Sequence, residues 1–191
     1  MKHGISLILL TWNEAERIRP ALDCSHDLVD EIVVVDSHST DDTLKILAEY
    51  GARVIQADFT GSWAALRNIA LEAAEYDWRF VLDSDERLDD EIRGVLRGLI
   101  EMDGIDCFCF NRKNTLDGVL SHYPDYHHRL FRDYLRYSGE LHEHLSGFKQ
   151  PLKYMNVHVL HPKTMARQKE QTARYKRIEN GEDTNNDVCT S

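Results

Sequence analysis

Cysteine and proline are both scarce, at four residues each in a chain of 191. The cysteines, Cys24, Cys107, Cys109 and Cys189, include no Cys-x-x-Cys pair. This argues against a zinc ribbon and against the dense disulfide framework of a small secreted domain, and a reducing cytoplasm fits best. Cys107 and Cys109 alternate along GIDCFCFN, which reads as a strand with two small core fillers on one face. Basic charge is in the minority, with 23 Lys and Arg against 33 Asp and Glu and a net charge of −10. Such a balance speaks against coating nucleic acid or an anionic membrane with the whole surface, though not against a local basic patch. Long apolar runs are missing too. The segment ISLILL near the start is far too short to span a bilayer, and a charged segment rather than a small-residue cleavage site follows it. It reads as a buried strand, and the chain as a soluble, cytoplasmic protein without internal repeats.

What is present is alternation. Through about Met102, short apolar runs take turns with amphipathic helical patterns. ISLILL, EIVVVD, ARVIQA and WRFVLD read as strands. EAERIRPALDCS, SHSTDDTLKILAEYG, SWAALRNIALEAAEY and DDEIRGVLRGLIEM read as the helices between them. Ser39 or Thr40 is the expected cap of the second helix, and Gly51 its stop. This order predicts a doubly wound α/β sheet, mostly parallel, with ligands at the carboxyl ends of its strands. Those ends carry Thr11-Trp12-Asn13-Glu14, Asp36-Ser37-His38, Gln56-Ala57-Asp58 and Asp83-Ser84-Asp85. After Gly104 the pattern changes to strands joined by turns: IDCFCFNRKN, TLDGVLSH, HHRLFRD and LKYMNVHVLH, with Asp117-Gly118 as a hairpin turn. A final helix is expected from about 163 to 178. The sequence thus divides into 1–103, an α/β half; 104–178, a second half of the same domain; and 179–191, a polar, loose tail.

The stretch FVLDSDERLDDE, residues 80–91, carries the sharpest chemical signal. Asp83 and Asp85 abut an apolar strand and, two residues apart, point to the same side. Such a pair suits a hard divalent cation, Mn²⁺ or Mg²⁺, and the phosphates that the cation bridges. A bland reading is an acidic turn, and Asp89, Asp90 and Glu91 fit it as the start of the next helix. Haloacid-dehalogenase-type phosphatases share the local look, but they want Thr or Val where Arg87 stands. A receiver-type pocket would need a late strand-end lysine that is not evident. Other residues also have ordinary readings: Arg67 pairing with Glu72 or another surface acid, Asp36 capping the turn after it, Trp12 and Trp63 as core.

Taken in order, SLILLTWNEAERI, EIVVVDSHSTDDT, GSWAALRNIAL, FVLDSDE, RLFR at 129–132, GELHEHL at 139–145, and His161 followed by Tyr175 in a basic helix cover most of the chain. The set resembles the GT-A-fold, family 2 glycosyltransferases, particularly the lipopolysaccharide-core glucosyltransferase branch. The resemblance implies a metal-dependent inverting enzyme that moves a sugar from a nucleotide sugar, most readily a UDP-sugar, to a hydroxyl acceptor. It implies that Thr11, Asn13, Glu14 and Asp36 line the nucleotide pocket, with Arg67, Arg129 and Arg132 on the donor. It also implies Asp83 at the ribose or metal, Asp85 as ligand of Mn²⁺ or Mg²⁺, and His161 or His158 completing the metal site. Glu143 matches the general base, with Glu140 and His142 as alternatives. The acceptor stays open among glycan, lipid-linked, protein and nucleic-acid classes. The basic helix, with Lys163, Arg167, Lys169, Arg174, Lys176 and Arg177 against Glu170, suggests a phosphate-bearing partner or a solvated face. A non-catalytic nucleotide-sugar-binding module is the alternative function.

Overall fold

The structure is a computed structural model, and it describes residues 2–139 and 143–179, without the side chains of Arg174, Tyr175, Ile178 and Glu179. Strand β1 (Lys2–Thr11) leads through a turn to a short helix α1 (Ile18–Asp23), then β2 (Glu31–Asp36), α2 (Thr43–Glu49), β3 (Arg53–Gln56), α3 (Trp63–Ala73) and β4 (Tyr76–Val81). A short strand β5 (Arg87–Leu88) precedes α4 (Asp90–Leu99). The second half contributes β6 (Cys107–Leu116), β7 (Val119–Leu120), β8 (Tyr126–Arg132), β9 (Arg136–Ser138), β10 (His144–Ser146), β11 (Leu152–Lys163) and α5 (Met165–Glu179).

One sheet runs in the order β3-β2-β1-β4-β8-β6-β11-β5, with β7 paired to β6. The first four strands are parallel, as the strand–helix alternation predicts. β8 joins antiparallel to both β4 and β6, and β11 then runs parallel to β6, so the second half extends the same sheet. Asp117 and Gly118 both take positive φ, 48° and 81°, and close the β6–β7 hairpin as a two-residue turn.

Strand periodicity builds two cores. Ile5, Leu7 and Leu9 of β1 join Val34, Trp78, Phe80 and Phe108 on the face covered by α1, α2 and α4. Ile8 of the same strand joins Val33, Val35, Val81 and Phe131 on the face covered by α3, with Leu145 of β10. Because both faces are covered, these strands carry continuous apolar runs.

Two helix starts differ from the sequence expectation. α2 begins only at Thr43, whose backbone N–H donates to Asp41 Oδ1 at 3.0 Å. Ser39 and Thr40 bind Asp36 and Asn13 instead, and so fasten the loop after β2 to the loop after β1. α1 shrinks to six residues, because the turn at Glu14–Arg17 must first reverse the chain and Pro20 lacks the N–H for a longer upstream helix. Asp89 caps α4 by accepting from Ile92 N at 2.9 Å, with Asp90 and Glu91 in its first turn, as expected for the second part of the acidic stretch. Among the described residues no helix is long and apolar enough to cross a membrane.

Candidate active site

A cavity of about 840 Å³ opens at the carboxyl ends of β1 and β4 and is bounded on its far side by the end of β11 and by α5. Cationic side chains outnumber acids along its wall, against the acidic balance of the whole chain. Such a lining attracts an anionic ligand.

Asp83 leaves β4 at the cavity floor and accepts from Arg67 Nη2 at 2.9 Å. Arg67 comes from α3, a helix started by Ser62, which accepts from Ala65 N. Its Nε donates to Glu143 Oε1 at 2.5 Å, so one guanidinium bridges the strand-end acid and the acid before β10. Burial opposes ionisation of Asp83, but Arg67 and Arg129 outweigh it and hold the carboxyl well below its ordinary range. Glu143 Oε2 is buried with no hydrogen-bond partner among the described residues. A buried acceptor left unanswered is costly, which makes this oxygen a place for an arriving donor proton.

Asp85 Oδ1 lies 3.5 Å from His161 Nε2. Burial opposes the charge on Asp85, and the hydrogen bond and charge of His161 more than offset it, so its carboxyl also sits below its usual range. His161 stands opposite Asn114 in the β6–β11 register, and its Nδ1 lies 2.7 Å from Asn114 Oδ1. An amide oxygen only accepts, so Nδ1 carries a proton, and Nε2 on the Asp85 side is the ring nitrogen left to ligate a cation once that cation displaces its proton. Two carboxylates and one anchored imidazole are a donor set that fits Mn²⁺ or Mg²⁺. His158 points elsewhere, to Asp89 at 3.4 Å and Tyr123 at 3.1 Å.

The loop after β1 forms another wall. Thr11, Asn13 and Glu14 line the cavity, and Asn13 adopts a positive φ of 52°. Glu14 accepts from Arg17 at 2.7 Å and from Arg167 of α5 at 3.3 Å, which ties the last helix to the first loop. Trp12 and Trp63 also reach the wall rather than only the core.

Two donor-side assignments require correction. Asp36 is fully buried and does not line the cavity; it accepts from Thr11 Oγ1, from the N–H and hydroxyl of Ser39, and from Gln56. It caps the turn after β2, the bland reading of the sequence. Arg132 lies at the other end of the sheet, paired with Asp77 at 3.2 Å and stacked over Trp78 at 4.0 Å. Its neighbour three residues earlier does reach the site: Arg129 is buried on the cavity wall, held by Glu86 at 2.5 Å and by the carbonyl of Val81. Glu140 and His142, the alternative bases, lie outside the described residues, as does the 180–191 part of the tail.

Sequence reasoning missed Glu86, which accepts from Asp83 N at 3.0 Å while neutralising Arg129, and so shapes the turn that presents Asp83. It sits among acids that all look alike, and only its total burial sets it apart. Arg112 of β6, 2.9 Å from Asp125, was missed as well, since nothing local marks a strand arginine as facing a cavity. Within the basic helix region, Lys163, Arg167 and Arg177 line the cavity, whereas Lys169 and Lys176 lie on another face.

Residues 6–173 match Glycosyl transferase family 2. An uncharacterized glycosyltransferase of Rickettsia felis is 39% identical over 89 residues, 47% of this chain and 31% of that protein. The Staphylococcus aureus protein TarS (residues 1–349), solved in complex with UDP, is 30% identical over 60% of this chain and 36% of its own, with a TM-score of 0.52. A second TarS structure, in complex with UDP-GlcNAc, aligns over 85% of this chain and 59% of its own, with a TM-score of 0.64 at 20% identity. The chain spans less than half the length of the curated relatives it matches. With the family match running from the first strand into the last helix, the chain belongs to glycosyltransferase family 2 and has its GT-A fold.

Proposed function

We propose that this chain carries the donor site and the catalytic base of a divalent-metal-dependent, inverting glycosyltransferase. It moves one sugar from a UDP-sugar to a hydroxyl acceptor. The observation that carries this reading is the convergence of Asp83, Asp85, His161 and Glu143 on one cation-lined cavity at the strand ends. The UDP complex of TarS supports uridine as the donor base.

Thr11, Asn13 and Glu14 receive the nucleoside, while Arg67, Lys163 and Arg167 face the diphosphate. Asp85 and His161 would hold the metal, with Asp83 at the ribose or beside the metal. A bound Mn²⁺ or Mg²⁺ would neutralise the charge that grows on the departing diphosphate. Glu143 takes the proton of the acceptor hydroxyl through its free oxygen, while Arg67 fixes its orientation through the other. Lys163, Arg167 and Arg177 give the phosphate-bearing ligand expected at the basic helix a place: the donor, or a phosphorylated acceptor beside it.

Turnover of a panel of nucleotide sugars, followed with Mn²⁺ and with EDTA, tests the reading. Metal-dependent release of UDP is expected. Tight UDP-sugar binding with no metal-dependent turnover on any donor would instead identify a non-catalytic binding module.

A further inference from the structure

We propose a second metal site, separate from the acid–histidine set: Cys107, Cys109 and His128 form a soft three-ligand centre for a thiophilic divalent ion, Zn²⁺ foremost. Strand alternation places the two thiols on one face of β6, while Phe108 between them packs into the opposite core. The histidine arrives through an irregularity in β8. Phe108 faces Leu130, so regular antiparallel pairing would set Cys109 against Arg129; a register shift sets it against His128 instead. One extra residue in a strand turns the side chains beyond it to the other face. That bulge brings an imidazole beside two thiols and frees Arg129 for Glu86.

The ligand atoms of all three residues lie within 4.8 Å of one another. A tetrahedral zinc centre needs separations of roughly 3.5–3.8 Å between such atoms, a closure within reach of side-chain rotation. The thiols are buried, at 0% and 2% exposure. The His128 ring has no hydrogen bond to any other described residue; its neighbour is the ring of Phe148 at 5.8 Å. His128 also lines the cavity, which gives the ion an entry path and leaves a fourth position open to water. On binding, the two thiols lose their protons to solvent and form two metal–thiolate bonds, and neutral imidazole supplies the third. The resulting centre carries no net charge, as suits its apolar surroundings. It cross-links β6 to β8 at the shift in register. Nothing in this inference depends on the donor reading.

Cobalt titration of the reduced protein tests it. Co²⁺ bound by two thiolates gives sulfur-to-metal charge transfer in the near ultraviolet and strong visible bands, whereas Co²⁺ on Asp85 and His161 gives neither. One equivalent of the thiolate spectrum is expected, displaced by Zn²⁺ and unchanged in Asp85→Ala. It should vanish in Cys109→Ser, and in His128→Ala the affinity should fall at least about tenfold. Circular dichroism checks that each variant is folded, and His128→Ala leaves both buried thiols in place should Cys109→Ser fail to fold. Absence of the charge-transfer band in the folded wild type would overturn the proposal. So would a band that survives in both variants, which would belong to Cys24 or Cys189, or one with undiminished affinity in His128→Ala, which would leave the imidazole out of the centre.

Discussion

Acids paired with arginines stand at both ends of β4, and the carboxyl end is the one that lines the cavity described above. At the amino end, Asp77 accepts from Arg132, from the backbone N–H of Gly4 and from His3, and the Arg132 guanidinium is stacked on Trp78. Every charge there is answered locally. At the carboxyl end, Asp83 shares Arg67 with Glu143, a Glu143 oxygen stays without a described partner, and Asp85 meets His161 at 3.5 Å, beyond a good hydrogen bond. Residue types do not separate the two ends. Chain direction does: the loops leaving parallel strands diverge at their carboxyl ends and leave a hollow, and acids placed there are left with capacity for a ligand.

Substitutions at the two ends of β4 should have unequal effects. Glu143→Gln removes the proton acceptor while keeping the shape, so transfer should fall about 10²–10⁴-fold with UDP affinity nearly unchanged. A collapse of affinity in the same titration would make Glu143 a binding residue. Arg67→Ala strips the bridge from two acids at once. UDP affinity should drop markedly, and stability by about 3 kcal/mol in urea denaturation. Arg67→Lys should not restore affinity, because an ammonium cannot span both acids as the fork does.

His127, on the cavity wall beside Asp125, offers a pH test. Burial, with Arg129 and Arg112 nearby, pushes its pKa down to about 4. The unfolded chain takes up this proton near pH 6.5 and the folded chain only near 4. Its share of stability is therefore full above pH 6.5 and is lost as pH falls toward 4. His127→Gln should flatten that part of the wild-type profile, measured as the difference between their Tm values across the window. The smallest effect is expected at the amino end: Arg132→Ala should cost about 1 kcal/mol through the lost stack and leave transfer untouched. A drop in transfer there would erase the distinction between the two ends.

Much of this was legible in the sequence. Apolar runs such as EIVVVD and strand-end acids such as Asp83 and Asp85 mark a parallel sheet and its mouth, because both follow from period and position. Asp36 and Arg132 misled because a charge next to a strand end looks the same whether it faces a cavity or closes a turn. Only the hydrogen bonds of Ser39 and Thr11, and the pairing of β8 beside β4, tell them apart. Glu86 and Arg112 were hidden because their roles depend on strands brought together from distant parts of the chain. The same is true of His128, whose face is set by one extra residue in β8 rather than by its own neighbourhood.

The most direct measurement is the thermal shift produced by UDP, with and without Mn²⁺, in the wild type and in Asp85→Ala. Mn²⁺ should enlarge the UDP shift in the wild type and add nothing in the variant, which keeps its metal-free shift. An equal gain from Mn²⁺ in both proteins would contradict the metal assignment at the centre of the site.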